Sequence, residues 1–200
     1  MTLSKESLVQ ALREPKTLIA LISVPVAVLL DQLTKLWAIL TLRPLLDNAE
    51  PTGRFLTVVE GFFRMKYTEN PGAAWGLLRN ASPEWRVPFF IITSLVAIVA
   101  FLWFYRKIER EQKWLATAIS FIMGGALGNL IDRIRMGRVV DFVEWFVSLD
   151  RPLNLGFMTI EAGEKHWPTF NVADAFITAG VIMFILEMLL FAPKKSEALE

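Results

Sequence analysis

The chain alternates between long apolar segments and polar connections. Four segments, about 17–42, 87–105, 114–135 and 170–191, consist mostly of apolar residues. Crossing the hydrocarbon core of a bilayer as a helix takes roughly 20 predominantly apolar residues. The pattern therefore predicts four transmembrane helices.

Two polar insertions separate these helices, at about 43–84 and about 136–169. The first contains the β-like runs "RFLTVV" and "FFRMKY" among Pro and Gly residues, which predicts small strands. The second begins with "GRVVDFVEWFVSL" and is long for a connection between helices, a frequent sign of function. We predict an all-α membrane protein in which residues 1–200 form a single polytopic domain. It has four transmembrane helices, a small extracytoplasmic β-containing insertion, and a second extracytoplasmic loop or helix.

The positive charges predict how the chain is oriented. Lys and Arg in short loops favour the cytoplasmic side of a membrane. The loop between the second and third helices contains Arg106, Lys107, Arg110 and Lys113, and both tails are also basic. We therefore expect both termini in the cytoplasm and both insertions outside it.

The amino-acid composition excludes several kinds of functional site. The chain is 54% hydrophobic, with a mean hydropathy of +0.44 and a net charge of +1, so no strong field attracts nucleic acid. It has no cysteine and one histidine, His166, which excludes disulfides, thiolate sites and a two-histidine zinc site within one chain. We expect no metal, no cofactor and no nucleic-acid partner.

Two aspartates are the candidate catalytic residues. Asp141 lies between apolar residues in "GRVVDFVEWF", and Asp174 lies about one turn inside the fourth helix in "FNVADAFITAG". Ionisable groups at membrane depth are costly and usually mark function. Two carboxyl groups that share a site can perform acid–base hydrolysis without a metal. Asp174 has an alternative interpretation, as an acid that interacts with the helix N-terminus three residues after Asn171.

Three further polar groups also have two interpretations each. They are Asp31 and Lys35 in the first helix, Asn70 and Gly72 in an Asn-Pro-Gly sequence, and Asn129, Asp132 and Arg133 after Gly124 and Gly128 in the third helix. The first group is either a self-neutralising ion pair or part of a site. The second is either a turn or part of a site. The third is either a helix-packing seam followed by interfacial charges or a set of polar groups that points into a site.

Five sequences together carry a resemblance to a known family. "DQLTK" (31–35), "NPGAAWG" (70–76), "GGALGNLIDR" (124–133), "GRVVDF" (137–142) and "FNVADA" (170–175) closely resemble bacterial lipoprotein signal peptidases, the signal peptidase II family. The resemblance covers nearly the whole chain, in the same order. It implies an intramembrane aspartyl endopeptidase that is sensitive to globomycin. Such an enzyme removes the signal peptide from diacylglyceryl-modified prolipoproteins, just before the lipidated cysteine.

The resemblance also implies roles for particular residues. The catalytic pair falls on Asp141 and Asp174, and structural support falls on Asp31, Lys35, Gly72 and Asp132. Substrate-binding positions fall on Asn70, Asn129, Arg133 and Asn171. The expected partners are a lipid-modified prolipoprotein and membrane lipid. The expected location is the bacterial cytoplasmic (inner) membrane, with the site near the outer leaflet of a monomeric enzyme.

Other classes of protein fit the sequence less well. The Gly-x-Gly-Asp signature of presenilin-type proteases and the Gly-x-Ser-Gly signature of rhomboid proteases are absent. A small transporter or channel that uses Asp174 as a proton or cation site is an alternative from a different class, and it predicts a path across the whole membrane. The stretch from Asp141 to Phe170 is longer than in the family, and it contains His166, which we expect to be solvated.

Overall fold

Four long helices form the frame of the molecule. The computed structural model describes residues 14–72, 78 and 81–190. Its helices are α1 (Pro15–Thr41), α2 (Pro83–Lys107), α3 (Lys113–Met136) and α4 (Val172–Leu190). Each is long and apolar enough to cross a membrane. The predicted four helices are therefore confirmed.

Local sequence explains where the helices begin and end. α1 and α2 begin with proline. The N–H group of the first helical residue has no partner within the helix, so proline, which lacks this group, is favoured there. α3 is followed by Gly137, whose φ of 68° is a left-handed conformation that glycine adopts without strain and that ends the helix. This turn redirects the chain immediately before Asp141.

An antiparallel sheet joins the helices at one end of the bundle. Its strands, in spatial order, are β1 (Leu56–Val59), β2 (Phe63–Asn70), β3 (Val139–Leu149) and β6 (Gly163–His166). β4 (Leu153–Asn154) and β5 (Thr159–Ile160) form a separate two-stranded hairpin. β1 and β2 coincide with the predicted β-like runs, and the turns at Arg43–Asp47 and Pro51–Arg54 are 3₁₀ helices.

The prediction for the second insertion was wrong in one respect. No helix occupies the described residues 137–171; "VVDFVEWFVSL" is instead the strand β3. β3 pairs with β2, with Asp141 opposite Thr68 and Val139 opposite Asn70. Its first residues are buried on both faces, so the alternation of polar and apolar residues that marks a half-buried strand is missing. The fold is therefore four helices plus a sheet, and the all-α description is incomplete.

α3 lies at the centre of the bundle, where it packs against the other three helices. Small residues allow the close approach. A Cβ atom built on Gly180 of α4 would lie 2.6 Å from the carbonyl oxygen of Ala118, and one on Gly124 would lie 2.6 Å from the Cβ of Ala27. The outward faces of α1, α2 and α4 carry many exposed leucine, isoleucine and valine side chains. An apolar exterior of this kind is what lipid requires.

Candidate active site

Asp141 lies on β3, five residues after α3 ends, where the sheet meets the helices. Its carboxyl group is buried. Oδ2 accepts a hydrogen bond of 3.0 Å from Nδ2 of Asn70, and Oδ1 accepts one of 2.6 Å from Nδ2 of Asn171. The first partner comes from the end of β2 and the second from the residue before α4. Asp141 is therefore held by two segments that are distant in sequence.

Asp174 lies in the first turn of α4 and makes a reciprocal cap with Asn171. The Asp174 N–H donates to Oδ1 of Asn171 at 3.0 Å, and the Asn171 N–H donates to Oδ2 of Asp174 at 3.2 Å. This is the geometry of a capping box. Oδ1 of Asp174 accepts a further bond of 2.8 Å from Nδ2 of Asn129. The helix-start interpretation of Asp174 is thus correct, and the same carboxyl group also faces α3.

Asn171 connects the two aspartates, because it hydrogen-bonds to the carboxyl groups of both. Burial and, to a smaller extent, the nearby charge of Asp174 together raise the pKa of Asp141 to about 7, against the effect of the two asparagine hydrogen bonds. The Asp141 carboxyl group is therefore poised to hold or release a proton near neutral pH. In the described parts of the chain, no three acidic or histidine side chains converge as ligands for a metal ion.

A buried ion cluster lies beneath the two aspartates. The ammonium group of Lys35 lies 2.9 Å from Asp31 Oδ2 and 2.9 Å from Asp132 Oδ2. It also donates a bond of 2.9 Å to Oδ1 of Asn129. Since this bond fixes which end of the Asn129 amide faces α4, it aims the amide nitrogen at Asp174. The i, i+4 pair of α1 is therefore part of a larger network.

The carboxylates of this cluster also hold the backbone on either side of the site. Oδ1 of Asp31 accepts the N–H of Ala173 at 2.9 Å, one residue before Asp174. Oδ2 of Asp132 accepts the N–H of Val140 at 3.2 Å, one residue before Asp141. Gln32, which sequence reasoning did not single out, donates to Asp31 at 3.1 Å and to Asp132 at 3.2 Å. The only sign of this role in the sequence was the position of Gln32 next to Asp31 in "DQLTK".

The two aspartates open onto one large cavity of about 890 Å³. Asn70, Gly72, Asn129 and Arg133 also line it, so most of the predicted site residues meet there. Asn171 is fully buried, and its side chain reaches Asp141. Gly72 donates its N–H to Oδ1 of Asn70 at 3.0 Å, which orients the Asn70 amide. Residues 73–76 of the "NPGAAWG" sequence lie outside the described part of the chain.

The cavity continues from the aspartates along α4. Its wall there is formed by Ile177, Thr178, Ala179 and Ile182, which lie on a helix long enough to span a membrane. On the side of the sheet it is lined by Trp145, Trp167 and Phe170. The acids therefore lie at the polar end of a largely apolar channel.

Comparison with known proteins identifies the family. The family described as Signal peptidase (SPase) II matches residues 23–190, which include both aspartates and the ion cluster. The chain belongs to the signal peptidase II family. The resemblance in the five sequence motifs is thereby confirmed.

Individual relatives agree with this assignment. The chain is 43% identical over 170 residues to a lipoprotein signal peptidase of Syntrophotalea carbinolica, covering 84% of this chain and 89% of the relative. It is 36% identical over 164 residues to a lipoprotein signal peptidase of Geobacter metallireducens, covering 82% and 86% of the two chains. A solved bacterial membrane enzyme, determined by the in meso method at 2.3 Å resolution, superposes with a TM-score of 0.64 at 29% identity. It covers 90% of this chain and 94% of that one. Membership and the four apolar helices together identify a multi-pass membrane protease.

This signal peptidase II family member has a second buried charge cluster, which sequence reasoning missed. Glu144 of β3 forms ion pairs with Arg64 at 2.5 Å and with Lys66 at 2.6 Å. Burial opposes ionisation of Glu144, but its hydrogen bonds and the charges of both cations outweigh this effect and lower its pKa. His166 on β6 lies beside the cluster, with Nδ1 3.6 Å from Glu144, and its side chain is exposed, as the sequence predicted. The cluster fastens β2 to β3 on the face opposite Asp141.

Proposed function

We propose that this chain removes the signal peptide from diacylglyceryl-modified prolipoproteins, cutting just before the lipidated cysteine, with Asp141 and Asp174 as a pair that activates one water molecule. The hydrogen bonds of Asn171 to both carboxyl groups are the main support. A residue bound to both acids keeps them at one site. Family membership and the lipoprotein signal peptidase relatives support the choice of substrate.

In this mechanism Asp141 holds the proton that the pair shares at rest. Its raised pKa of about 7 supports that assignment, since two neighbouring carboxyl groups do not both ionise readily. The ionised Asp174 takes a proton from water while the water oxygen attacks the scissile carbonyl carbon. Asp141 stabilises the oxyanion by donating a hydrogen bond, and its proton passes to the amine as the C–N bond breaks. The proton on Asp174 then passes to Asp141, which restores the resting state of the pair.

Substrate binding follows from the shape of the cavity. Its apolar wall along α4 suits the apolar signal peptide. The acyl chains of the substrate stay in the bilayer, between the helices. Arg133 lines the cavity and is the candidate for contact with the substrate backbone, whose polar groups need partners at membrane depth. The amides of Asn70, Asn129 and Asn171 act first by orienting the carboxyl groups they contact, and direct contact of these amides with substrate stays a prediction.

The orientation of the enzyme in the bacterial cytoplasmic membrane also belongs to the proposal. The connection between α2 and α3 carries Arg106, Lys107, Arg110 and Lys113, which favours the cytoplasm. The sheet and both aspartates lie at the opposite end of these helices, on the outer side. Both termini are then cytoplasmic, and the monomeric enzyme meets its substrate at the outer leaflet.

A cleavage assay tests the mechanism. The protein is reconstituted in liposomes with a diacylglyceryl-modified prolipoprotein, and the product is located by mass spectrometry. Asp141→Asn and Asp174→Asn should each lower kcat by at least about 100-fold, since a positioned acid or base contributes about 10²–10⁴-fold. The double variant should be no worse than the poorer single variant, because the two residues act as a unit.

Matched controls define the outcome. Asp150→Asn changes an exposed carboxylate in the same insertion and should cleave at the original rate. Globomycin should block the wild-type reaction, and an unlipidated substrate should be cleaved poorly. Full turnover by either aspartate variant would exclude the pair. Ion flux through the liposomes that depends on Asp174, without cleavage, would favour the transporter.

A further inference from the structure

The hairpin formed by β4 and β5 has a tightly defined tip. The N–H of Leu155 donates to the carbonyl oxygen of Met158 at 2.9 Å, so the turn contains only Gly156 and Phe157. Gly156 has a φ of 85°, and glycine at the first central position is typical of a tight hairpin turn. The turn therefore places Phe157 at the apex of the hairpin.

The tip is apolar and exposed. Phe157 is 85% exposed, and its neighbours Leu155 and Met158 are 45% and 49% exposed. The sequence "LNLGFMTI" from 153 to 160 contains no charged residue. Tight turns at a protein surface in water are normally built from Gly, Asn, Asp, Pro and Ser. An exposed apolar cluster at the tip of a hairpin indicates a partner that is itself apolar.

Two backbone donors of the tip already have partners within the hairpin. The Leu155 N–H is satisfied within the turn, and the Gly156 N–H donates to Oδ1 of Asn154 at 2.8 Å. A buried N–H group without a partner costs about 1–3 kcal/mol. Because these donors are already bonded, the tip can leave water without losing them.

We propose that the tip of the β4–β5 hairpin inserts into the surface of the phospholipid bilayer that the four helices span, as an additional anchor for the sheet. The same insertion carries two further exposed aromatic side chains. Trp145 of β3 and Trp167 after β6 are 45% and 55% exposed, and tryptophan is favoured at membrane interfaces.

Energy and area favour lipid over a second copy of the chain. Burying a large apolar side chain contributes about 1.5–3 kcal/mol, which is weak for a free protein. Here the hairpin lies in the chain between α3 and α4, which tether it to the membrane, so insertion needs no further loss of translational freedom. A stable protein–protein interface buries about 800 Å² per partner. Three side chains, of which a large aromatic one contributes about 150–250 Å², fall short of this.

The immersion of the tip can be measured directly. The chain has no cysteine, so Phe157→Cys provides a single site for a spin label in proteoliposomes of phosphatidylethanolamine and phosphatidylglycerol. The label at 157 should collide more with oxygen and less with a water-soluble nickel complex than a label on the matched control Asp150→Cys. Asp150 lies at the base of the same hairpin and is exposed.

Each outcome decides the proposal. Equal access of the nickel complex to both labels would overturn it. Dipolar broadening that disappears on dilution with unlabelled protein would overturn it in favour of a second copy. Protection of the label only after a prolipoprotein is added would overturn it in favour of the substrate. Cleavage is not measured, so failure here leaves the proposed catalytic function untouched.

Discussion

Replacing Asp141 with asparagine should increase stability above neutral pH while it abolishes cleavage. Burial raises the pKa of Asp141 from 3.8 to about 7 in the folded protein. Between these values the folded state binds more protons than the unfolded state. The free energy of unfolding therefore falls as pH rises from about 4 to about 7, and the loss is complete above about 7. Asparagine cannot ionise, so the variant lacks this loss.

The size of the effect follows from the two pKa values. The difference between 3.8 and about 7 corresponds to about 4 kcal/mol, at 1.36 kcal/mol for each pH unit. Asparagine is uncharged like the protonated acid, but both neighbouring amides donate to residue 141, so its NH₂ group loses one of these two bonds at every pH. Relative to the wild type, the variant should therefore gain up to about 4 kcal/mol of stability between pH 4 and pH 8.

Equilibrium unfolding by sodium dodecyl sulfate in mixed micelles, at pH values from 4 to 8, measures the difference between the two proteins. Subtracting the variant from the wild type cancels the titration of most other groups. Asp150→Asn, which removes an exposed carboxylate, is the matched control. A constant difference between Asp141→Asn and the wild type across this range would refute the assignment of a raised pKa to Asp141.

Two further variants test the frame of the site. Lys35→Met removes the ammonium group between two buried carboxylates and should lower the free energy of unfolding by about 3–5 kcal/mol, with loss of cleavage. Arg138→Met breaks an exposed ion pair with Glu69 and should lower the free energy of unfolding by less than about 1 kcal/mol. Equal losses of stability in Lys35→Met and Arg138→Met would contradict burial of the Lys35 cluster. Gly180→Ala places a Cβ against α3 and should cost about 1–3 kcal/mol by the same unfolding assay. An unchanged midpoint of unfolding would contradict the close contact between α3 and α4 at Gly180.

The sequence predicted the helices well because their signal is local. A run of about 20 apolar residues is sufficient to recognise a membrane span. The candidate residues also converge, since Asn70, Asn129, Arg133, Asp141 and Asp174 all line one cavity. The family motifs brought them together before any geometry was known.

The features that the sequence could not predict depend on contacts between residues that are far apart in the chain. β3 is a strand because residues 63–70 lie beside it. The residues around Asp141 are apolar on both faces of the strand because α1 and α3 also contact it. Glu144 reads as a surface charge in "FVEWF", yet it is buried because Arg64 and Lys66 arrive from β2. A single residue gives no sign of a partner nearly 80 positions away.

The contacts of Asp31 with Ala173 and of Asp132 with Val140 have a consequence for synthesis. Both proposed catalytic acids come from the last third of the chain, while Asp31 and Lys35 emerge from the ribosome more than a hundred residues earlier. A nascent chain with three inserted helices lacks Asp174 and has no N–H group to meet Asp31. With Asp141 and Asp174 as the proposed pair, cleavage therefore requires that the final helix has entered the membrane.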